Sequence, residues 1–519
     1  MSGSAESGAE KGVEVKESAI PNAGRGLFAT KSFSPGDIVF AVDRPLVSEV
    51  NAEHMADTCA WCCQRAATDP TERVSSKAMG LPSGLIEVKS CTGCKRVSYC
   101  SKKCQAKAWK REHKYECAAL KPADREDVSS HVRAVVKILG RMKVDRYNET
   151  LIVSEMLKFP PVGDSVVQKA FKEQDEERYK ELNMLGNGAW IFAEKPDLGG
   201  TDNDTTVGFG FDPTICAANH SCDPNATLVN LQPRVELRAL KPIKVGDEIT
   251  FKYTETTAPF SLRQADLKTR YLFDCQCSKC KKGFDLDQLL QPASKLAGEY
   301  LKTADQLVLQ HQADLAKHLM PGDDEKAQMR LAAMQATAYS VLEDLQSSLD
   351  DVKEMIQLCV GSGMWSWTRQ PVPALTRRLF ERYLASGNLY KAFRIGMKLH
   401  IEILPQIYPQ SFYPDRLILA WTISTIINVL SGPAMAEIYK SFAQNGLELR
   451  LIYYGFLFYC YENTPLVFGY NSSCGRLVEH TYKQVMAGTS VERATIEANI
   501  VNVWPSFETL ARNVDVTNF

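Results

Sequence analysis

The chain lacks net charge: 61 Lys and Arg face 62 Asp and Glu across 519 residues, a formal charge of −1. A protein that binds nucleic acid with its whole surface would carry a large basic excess, so any such affinity has to reside in a local patch. An apolar run long enough to span a bilayer is also missing. Leu417 to Leu430 is interrupted by Thr422, Ser424, Thr425 and Asn428, and Leu451 to Cys460 is too short. Both read as buried helices. The opening residues, small and polar to about Gly12, lack the apolar core of a secretory leader and read as disordered. A reducing compartment is therefore expected, nucleus and cytoplasm, where disulfides are disfavoured.

Cysteine is present in quantity, 16 residues. Eleven of them, with one histidine, fall into three sets with metal-ligand spacing. Between Cys59 and Cys117 the pairs are Cys59 and Cys62, Cys91 and Cys94, Cys100 and Cys104, and His113 and Cys117. Zn²⁺ takes four N or S ligands in a tetrahedron, and a pair two to four residues apart supplies two corners from one turn of backbone. Eight ligands thus make two closed sites, and spacing alone admits either sequential or interleaved pairing. A lone histidine is usually a satisfied core residue, but His113 stands where the cysteine pairs need a last ligand. The third set, Cys275, Cys277 and Cys280, lacks a fourth ligand locally, and the distant Cys222 can supply it. Three structural zinc ions are expected. Cys63, Cys216, Cys359, Cys460 and Cys474 remain and read as buried apolar packing.

Around the first two sets the charge is basic: Lys95, Arg96, Lys102, Lys103, Lys107, Lys110, Arg111 and Lys114 face only Glu112 and Glu116. A solvated face and a weak contact with an acidic partner or nucleic acid are both open. Beyond about Asp285, apolar residues recur at three- and four-residue steps, as in Leu331, Met334, Ala338, Val341, Leu342 and Leu345, which reads as an α-helical domain. Within it, Gly387 to Ala392 partly matches a tetratricopeptide helix pair. Lys169 to Arg178 reads as solvated helix, and Asp197 to Asp204 as a loop before a strand near Val207.

Three further runs stand in order: Gly24-Arg25-Gly26-Leu27-Phe28-Ala29, then Asn219-His220-Ser221-Cys222-Asp223-Pro224-Asn225, then Gly246-Asp247-Glu248-Ile249-Thr250-Phe251-Lys252-Tyr253. They resemble the start, the signature and the tyrosine strand of a SET domain. The paired Cys and His ligands, with the stretch Gln105 to His113 behind them, resemble a MYND finger. A finger inserted between the Gly run and the SET signature is the arrangement of the SET-and-MYND lysine methyltransferases, and the resemblance covers about residues 13 to 285. It implies an α+β fold: a β-rich SET domain with an inserted MYND finger and helical insert, a post-SET zinc site, and an all-α, TPR-like C-terminal domain. The expected division is 1–12 disordered, 13–58 N-terminal SET lobe, 59–117 finger, 118–204 helical insert, 205–257 core SET, 258–285 post-SET zinc region and 286–519 helical domain. It also implies interleaved ligands: Cys59, Cys62, Cys100 and Cys104 on one metal, and Cys91, Cys94, His113 and Cys117 on the other.

The implied activity is methyl transfer from S-adenosylmethionine to a lysine amine of a histone or non-histone protein. The amine must be neutral, and with an ordinary pKa near 10.4 that form costs roughly 4 to 5 kcal/mol at pH 7. An aromatic channel would desolvate the ammonium and lower its pKa. By the resemblance, Tyr253 stands beside the transferring methyl and Tyr271 lines the lysine channel. Gly24 and Gly26 would let backbone approach the cofactor. Arg25 would meet its carboxylate, Asn187, Asn219 and His220 would contact it, and Phe273 would stack near the adenine. Asn187 departs from the family pattern, because Ala189 stands where an aromatic is usual, and Ala218 is smaller than the residue usual before the Asn-His pair. The third zinc site would hold Tyr271 and Phe273 over the substrate, so that chelation reduces activity without zinc entering the chemistry. Gln105 and Trp109 would form a groove for proline-rich peptides. Between Cys62 and Cys91 the insert containing Thr68 to Gly84 is longer than the family's usual loop. A monomer without membrane contact is expected. Two other classes compete: a non-catalytic adaptor, against which Tyr253, Asn219 and His220 argue, and a RING-type ubiquitin ligase, which leaves the SET runs unexplained.

Overall fold

The structure, a computed structural model, describes residues 12–66, 87–121, 130–142, 190–193, 206–281, 306 and 325–518, apart from 433–439 and scattered positions within these ranges. Asn187, the insert 68–84 and the segments 169–178 and 197–204 lie outside the described residues.

Short strands make up the first part: β1 (Val13–Glu17), β2 (Arg25–Ala29), β3 (Ile38–Val42), β4 (Val47–Val50), β5 (Lys89–Ser90), β6 (Ser98–Tyr99), β7 (Trp190–Ala193), β8 (Thr206–Phe211), β9 (Asn219–His220), β10 (Ala226–Asn230), β11 (Val235–Ala239) and β12 (Glu248–Phe251). They form sheets ordered β1-β2-β12-β9, β10-β11-β3, β4-β8-β7 and β5-β6. In the first, β12 lies antiparallel to β2 and parallel to β9, which sets the Gly run beside the tyrosine strand and that strand beside the Asn-His pair. Runs far apart in sequence thus meet on one sheet. Leu27, Val39, Phe40, Ile215, Leu237 and Ile249 pack into one apolar core below it, which removes their side chains from water at roughly 25 cal/mol per Å² buried.

The sheet β4-β8-β7 packs Val47, Phe209 and Phe211 against Ala134 and Ile138 of the helix Ser130–Met142. Four-residue steps on that helix also align Arg133, Lys137 and Arg141, all buried. The paired-ligand segment carries a helix in three pieces, Lys102–Ala108, a π-helical turn Trp109–His113 and Lys114–Leu120. Ser101 caps its start, its hydroxyl accepting from the Cys104 amide at 3.1 Å.

Beyond the strands the described chain is helical, from Glu325–Glu343 through Arg493–Arg512. Met334 and Ala338 are fully buried, as their spacing predicts. The two apolar runs fall in the helices Pro414–Leu430 and Leu449–Val467, and both contribute to the core of this region. Among the described residues no helix is long and apolar enough to cross a membrane. Gly387, at a φ of 73° that suits glycine, and Asn388, whose side chain accepts from the Lys391 amide at 3.2 Å, start the helix Leu389–Lys398. The helical region meets the sheets through Val229 of β10, which joins its core, and through Arg238 of β11. The Arg238 guanidinium donates to the carbonyls of Pro465 and Leu466, at 3.2 and 3.1 Å, at the end of the helix Leu449–Val467, where carbonyls have no intrahelical donor.

Candidate active site and metal centres

Tyr253 stands two residues past the end of β12. Its amide donates to His220 Nδ1 at 3.0 Å, and its hydroxyl donates to the carbonyl of Ala218 at 2.7 Å. Burial, reinforced by Cys216 and Tyr271, pushes the phenol above its ordinary range. Tyr253 is therefore protonated at neutral pH and acts as a donor, not a base. Its ring lies 4.9 Å from Tyr271, 5.0 Å from Phe251 and 5.4 Å from His220, and His220 is 6.2 Å from Phe273. Four of the residues singled out from the sequence, Tyr253, Tyr271, His220 and Phe273, thus form one aromatic group.

Asn219 and the Gly run meet at a residue that sequence reasoning missed. The Asn219 amide donates to Glu248 Oε1 at 2.7 Å and to the Arg25 carbonyl at 2.8 Å, and the Ser18 hydroxyl also reaches the Glu248 carboxylate, at 2.8 Å. The Asn219 amino group is thus committed within the protein. A Cβ on Gly26 would come within 2.4 Å of Glu248 Oε1, so the glycine leaves room for this carboxylate. Gly24, at a φ of 70°, turns the chain into β2. Arg25 is half-buried, and burial lowers its guanidinium, with Cys216 and Tyr253 acting in the opposite sense. Asn225, at the end of the Asn-His run, ties β12 in place: it donates to the Glu248 carbonyl at 2.9 Å and accepts from the Thr250 amide at 2.8 Å.

The sulfur and imidazole ligands gather in three groups, each with ligand atoms within 4.8 Å of one another: Cys59, Cys62, Cys100 and Cys104; Cys91, Cys94, His113 and Cys117; Cys222, Cys275, Cys277 and Cys280. Interleaved pairing is the one the fold adopts. Lys95 and Cys63, each just past a Cys-x2-Cys pair, have positive φ of 59° and 55°. That backbone turns the Lys95 and Cys63 amides back onto the carbonyls of Cys91 and Cys59, both at 2.8 Å, and so closes each knuckle.

The surroundings fit zinc. His113 Nδ1 lies 2.8 Å from Glu116 Oε1 and its Nε2 faces Cys91 and Cys94, the orientation of a metal-bound imidazole held by a carboxylate. In the third group, Arg263 Nε donates to Cys222 Sγ at 3.2 Å, a contact suited to a thiolate.

Glu112 and Glu116 are fully buried and turn inward, away from the finger's lysines. With Glu49 of β4 they meet Arg44, Arg133, Lys137 and Arg141: Lys137 Nζ lies 2.6 Å from Glu49, 3.6 Å from Glu116 and 3.8 Å from Glu112. Lys102, Lys103, Lys107, Lys110 and Lys114 are exposed, as is Trp109, and Gln105 is half-buried.

The Gly run and the Asn-His pair share one sheet with β12, just beyond which Tyr253 stands, and the family described as "SET domain" matches residues 24–254. Curated relatives match about half of the chain. The chain is 26% identical over 281 residues to histone-lysine N-methyltransferase ASHR1 of Arabidopsis thaliana, covering 50% of this chain and 54% of that protein. It is 26% identical over 287 residues to histone-lysine N-methyltransferase SMYD3 of Homo sapiens, covering 52% and 62%. To histone-lysine N-methyltransferase Smyd1 of Mus musculus it is 28% identical over 296 residues, covering 51% and 56%. The chain thus contains a SET-domain match and is similar, over about half of its length, to proteins that carry the SET-and-MYND name. It spans little more than half the length of the curated relatives it matches.

Proposed function

We propose that this chain is an S-adenosylmethionine-dependent protein-lysine N-methyltransferase acting on histone or non-histone lysines. The observation that carries the reading is Tyr253: protonated, walled by Tyr271, and hydrogen-bonded to the Ala218 carbonyl at 2.7 Å within a SET match. S-adenosylmethionine, when bound, supplies an electrophilic methyl group on a sulfonium. Tyr253 and Tyr271 exclude water from the incoming lysine and favour its neutral amine by desolvation. The Tyr253 hydroxyl and Ala218 carbonyl fix the direction of approach. Arg25 offers a partly desolvated cation to a carboxylate, and Gly24, Gly26, Asn219, His220 and Phe273 shape the cofactor side. Glu248 is added to the sequence-derived set, because it orients the Asn219 amide. Asn187 stays in that set on sequence grounds.

Zinc in the three ligand groups is structural in this reading. The paired groups form a MYND finger, the third a post-SET site, and the C-terminal helices a TPR-like domain over the substrate cleft. Trp109 and Gln105 take proline-rich peptides. The outward lysines, whose acidic neighbours are buried, support a weak nucleic-acid contact. The protein acts as a monomer in nucleus and cytoplasm.

Calorimetry of S-adenosylmethionine with zinc-loaded protein tests the reading. Wild type and Tyr253→Phe are expected to bind and Asn219→Ala to bind poorly, with methyl transfer lost in Tyr253→Phe. A wild type that does not bind points to the adaptor instead.

A further inference from the structure

Arg263 sits on the helix Phe260–Tyr271 with only 5% of its surface exposed. A buried guanidinium requires a counter-charge. Among the described residues no carboxylate lies within ion-pair reach of it; its Nε donates to Cys222 Sγ at 3.2 Å, its second terminal nitrogen approaches Cys280 Sγ at 3.6 Å, and the remaining one donates to the Ala258 carbonyl. Four thiolates on one Zn²⁺ leave two surplus negative charges, so the third ligand group supplies the anion that Arg263 needs.

His220, 4% exposed, reaches the same sulfur from the other side. Its Nδ1 accepts from the Tyr253 amide at 3.0 Å, and an amide can only donate, so the ring proton is on Nε2. Nε2 lies 3.2 Å from Cys222 Sγ and donates to it. Cys222 therefore receives one donor from the helix that ends in Tyr271 and one from the ring that holds the Tyr253 backbone. The two tyrosine rings, 4.9 Å apart, are tied to one sulfur.

We propose that the Cys222 thiolate, through Arg263 and His220, is the positioning centre that sets Tyr253 and Tyr271 against each other. Arg263 and His220 are positioning residues, and their part in methyl transfer rests on the function proposed above. The third metal site then acts on the aromatic pair by two directional bonds, beyond closing a loop.

The test uses the full chain loaded with zinc, and again with Co²⁺, as wild type, His220→Phe, Arg263→Met and Arg263→Lys. His220→Phe keeps a ring but loses both hydrogen bonds. The sulfur-to-cobalt charge-transfer band is expected to move to lower energy in His220→Phe and Arg263→Met, since a thiolate that loses a donor gives up its electrons more readily. With ¹⁵N-tyrosine labelling, the Tyr253 amide resonance, assigned by its loss in Tyr253→Phe, shifts in His220→Phe, and Arg263→Met moves the Tyr271 resonance. In Arg263→Met the single-turnover methylation rate falls about ten- to hundredfold with S-adenosylmethionine affinity little changed, and Arg263→Lys recovers part of it. An unmoved band and unmoved resonances overturn the proposal. So does loss of the metal in both variants to the same extent as in Cys222→Ser, which reduces the pair to metal retention. If wild type fails to bind S-adenosylmethionine while band and resonances still respond, the coupling stands and its role in methyl transfer falls.

Discussion

Replacing Lys137 with methionine removes one charge from a buried cluster while filling nearly the same volume. The Lys137 side chain is 3% exposed and its ammonium lies 2.6 Å from Glu49, 3.6 Å from Glu116 and 3.8 Å from Glu112. Each pair is worth about 4 to 6 kcal/mol at an effective dielectric near 20. Desolvation of the ammonium offsets most of that sum, and breaking such buried pairs one-sidedly costs about 3–5 kcal/mol net. The three acids do not lose equally. Glu49 keeps Arg133 at 3.2 Å and Glu112 keeps Arg44 at 3.1 Å, whereas among the described residues Glu116 is left with His113. The strain therefore falls on the residue that orients a metal-ligand imidazole. If half of a loss of about 4 kcal/mol is felt at the metal, affinity there drops about thirtyfold. Chelator competition on the full chain reads this directly, and it avoids a single unfolding free energy for a chain of several domains. Lys137→Met is expected to release metal from the Cys91, Cys94, His113 and Cys117 group first. Lys137→Met with Glu116→Gln should recover part of the affinity, because a neutral amide oxygen still accepts from His113. Release indistinguishable from wild type, with thermal stability unchanged, would refute the view that this cluster holds the finger.

Gly26→Ala places a methyl group 2.4 Å from Glu248 Oε1, so the carboxylate has to leave Asn219 and Ser18; overpacking of this kind costs about 1–3 kcal/mol. S-adenosylmethionine binding measured by calorimetry should weaken about tenfold, and unchanged affinity removes Glu248 from the site. His400 is buried between Phe456 and Tyr459, and burial, with Arg416 adding to it, draws its imidazole down to about 3. Its folded pKa lies below the unfolded value near 6.5, so the unfolded chain binds the extra proton between them. Stability is then full above about pH 6.5 and falls by about 1.4 kcal/mol per pH unit below it. Thermal melts at pH 7 and pH 5.5 should show a smaller acid loss in His400→Phe than in wild type, and equal losses would show that His400 is not the group responsible.

The metal ligands were legible in the sequence because a tetrahedral site writes its geometry into short spacings. Spacing left their pairing open, because it depends on how β5, β6 and the helix after them bring Cys100 and Cys104 back to Cys59 and Cys62; the interleaved pairing that the resemblance implied is the one the fold adopts. Tyr253, Tyr271, His220 and Phe273 were legible as motifs, and the structure brings them together. Glu248 and Ser18 are 230 residues apart, and no local periodicity reports such a pair. Glu112 and Glu116 looked like neighbours of the finger's lysines, yet they face the opposite way. One signal could have found them: Arg133, Lys137 and Arg141 recur at four-residue steps beside the apolar Ala134 and Ile138, and a cationic stripe next to the core-facing side requires buried acids. Arg263 carried no such sign, since its partners are sulfurs whose charge depends on the metal.

The finger and the third ligand group are attached to the rest of the protein in the same way. The paired-ligand segment has its own apolar cluster, around Met55, Val97, Tyr99 and Leu120, separate from the cores under the sheets. Its bonds to the strand region are polar: Arg111 to the Pro45 carbonyl at 3.1 Å, Arg44 to Glu112 at 3.1 Å, and the Lys137 cluster. In the third group, Arg263 and His220 play the equivalent part. Apolar surfaces tolerate sliding, because burial has no direction. Hydrogen-bonded charges fix angle and register. A metal-ligand segment can thus be held at a defined orientation to a sheet. Removal of metal should accordingly leave the far-ultraviolet signal of the sheets and helices largely in place while the aromatic near-ultraviolet signal of Tyr253 and Tyr271 weakens. Parallel loss of both signals would mean that the metals hold up the fold itself, and that the directional bonds are its consequence.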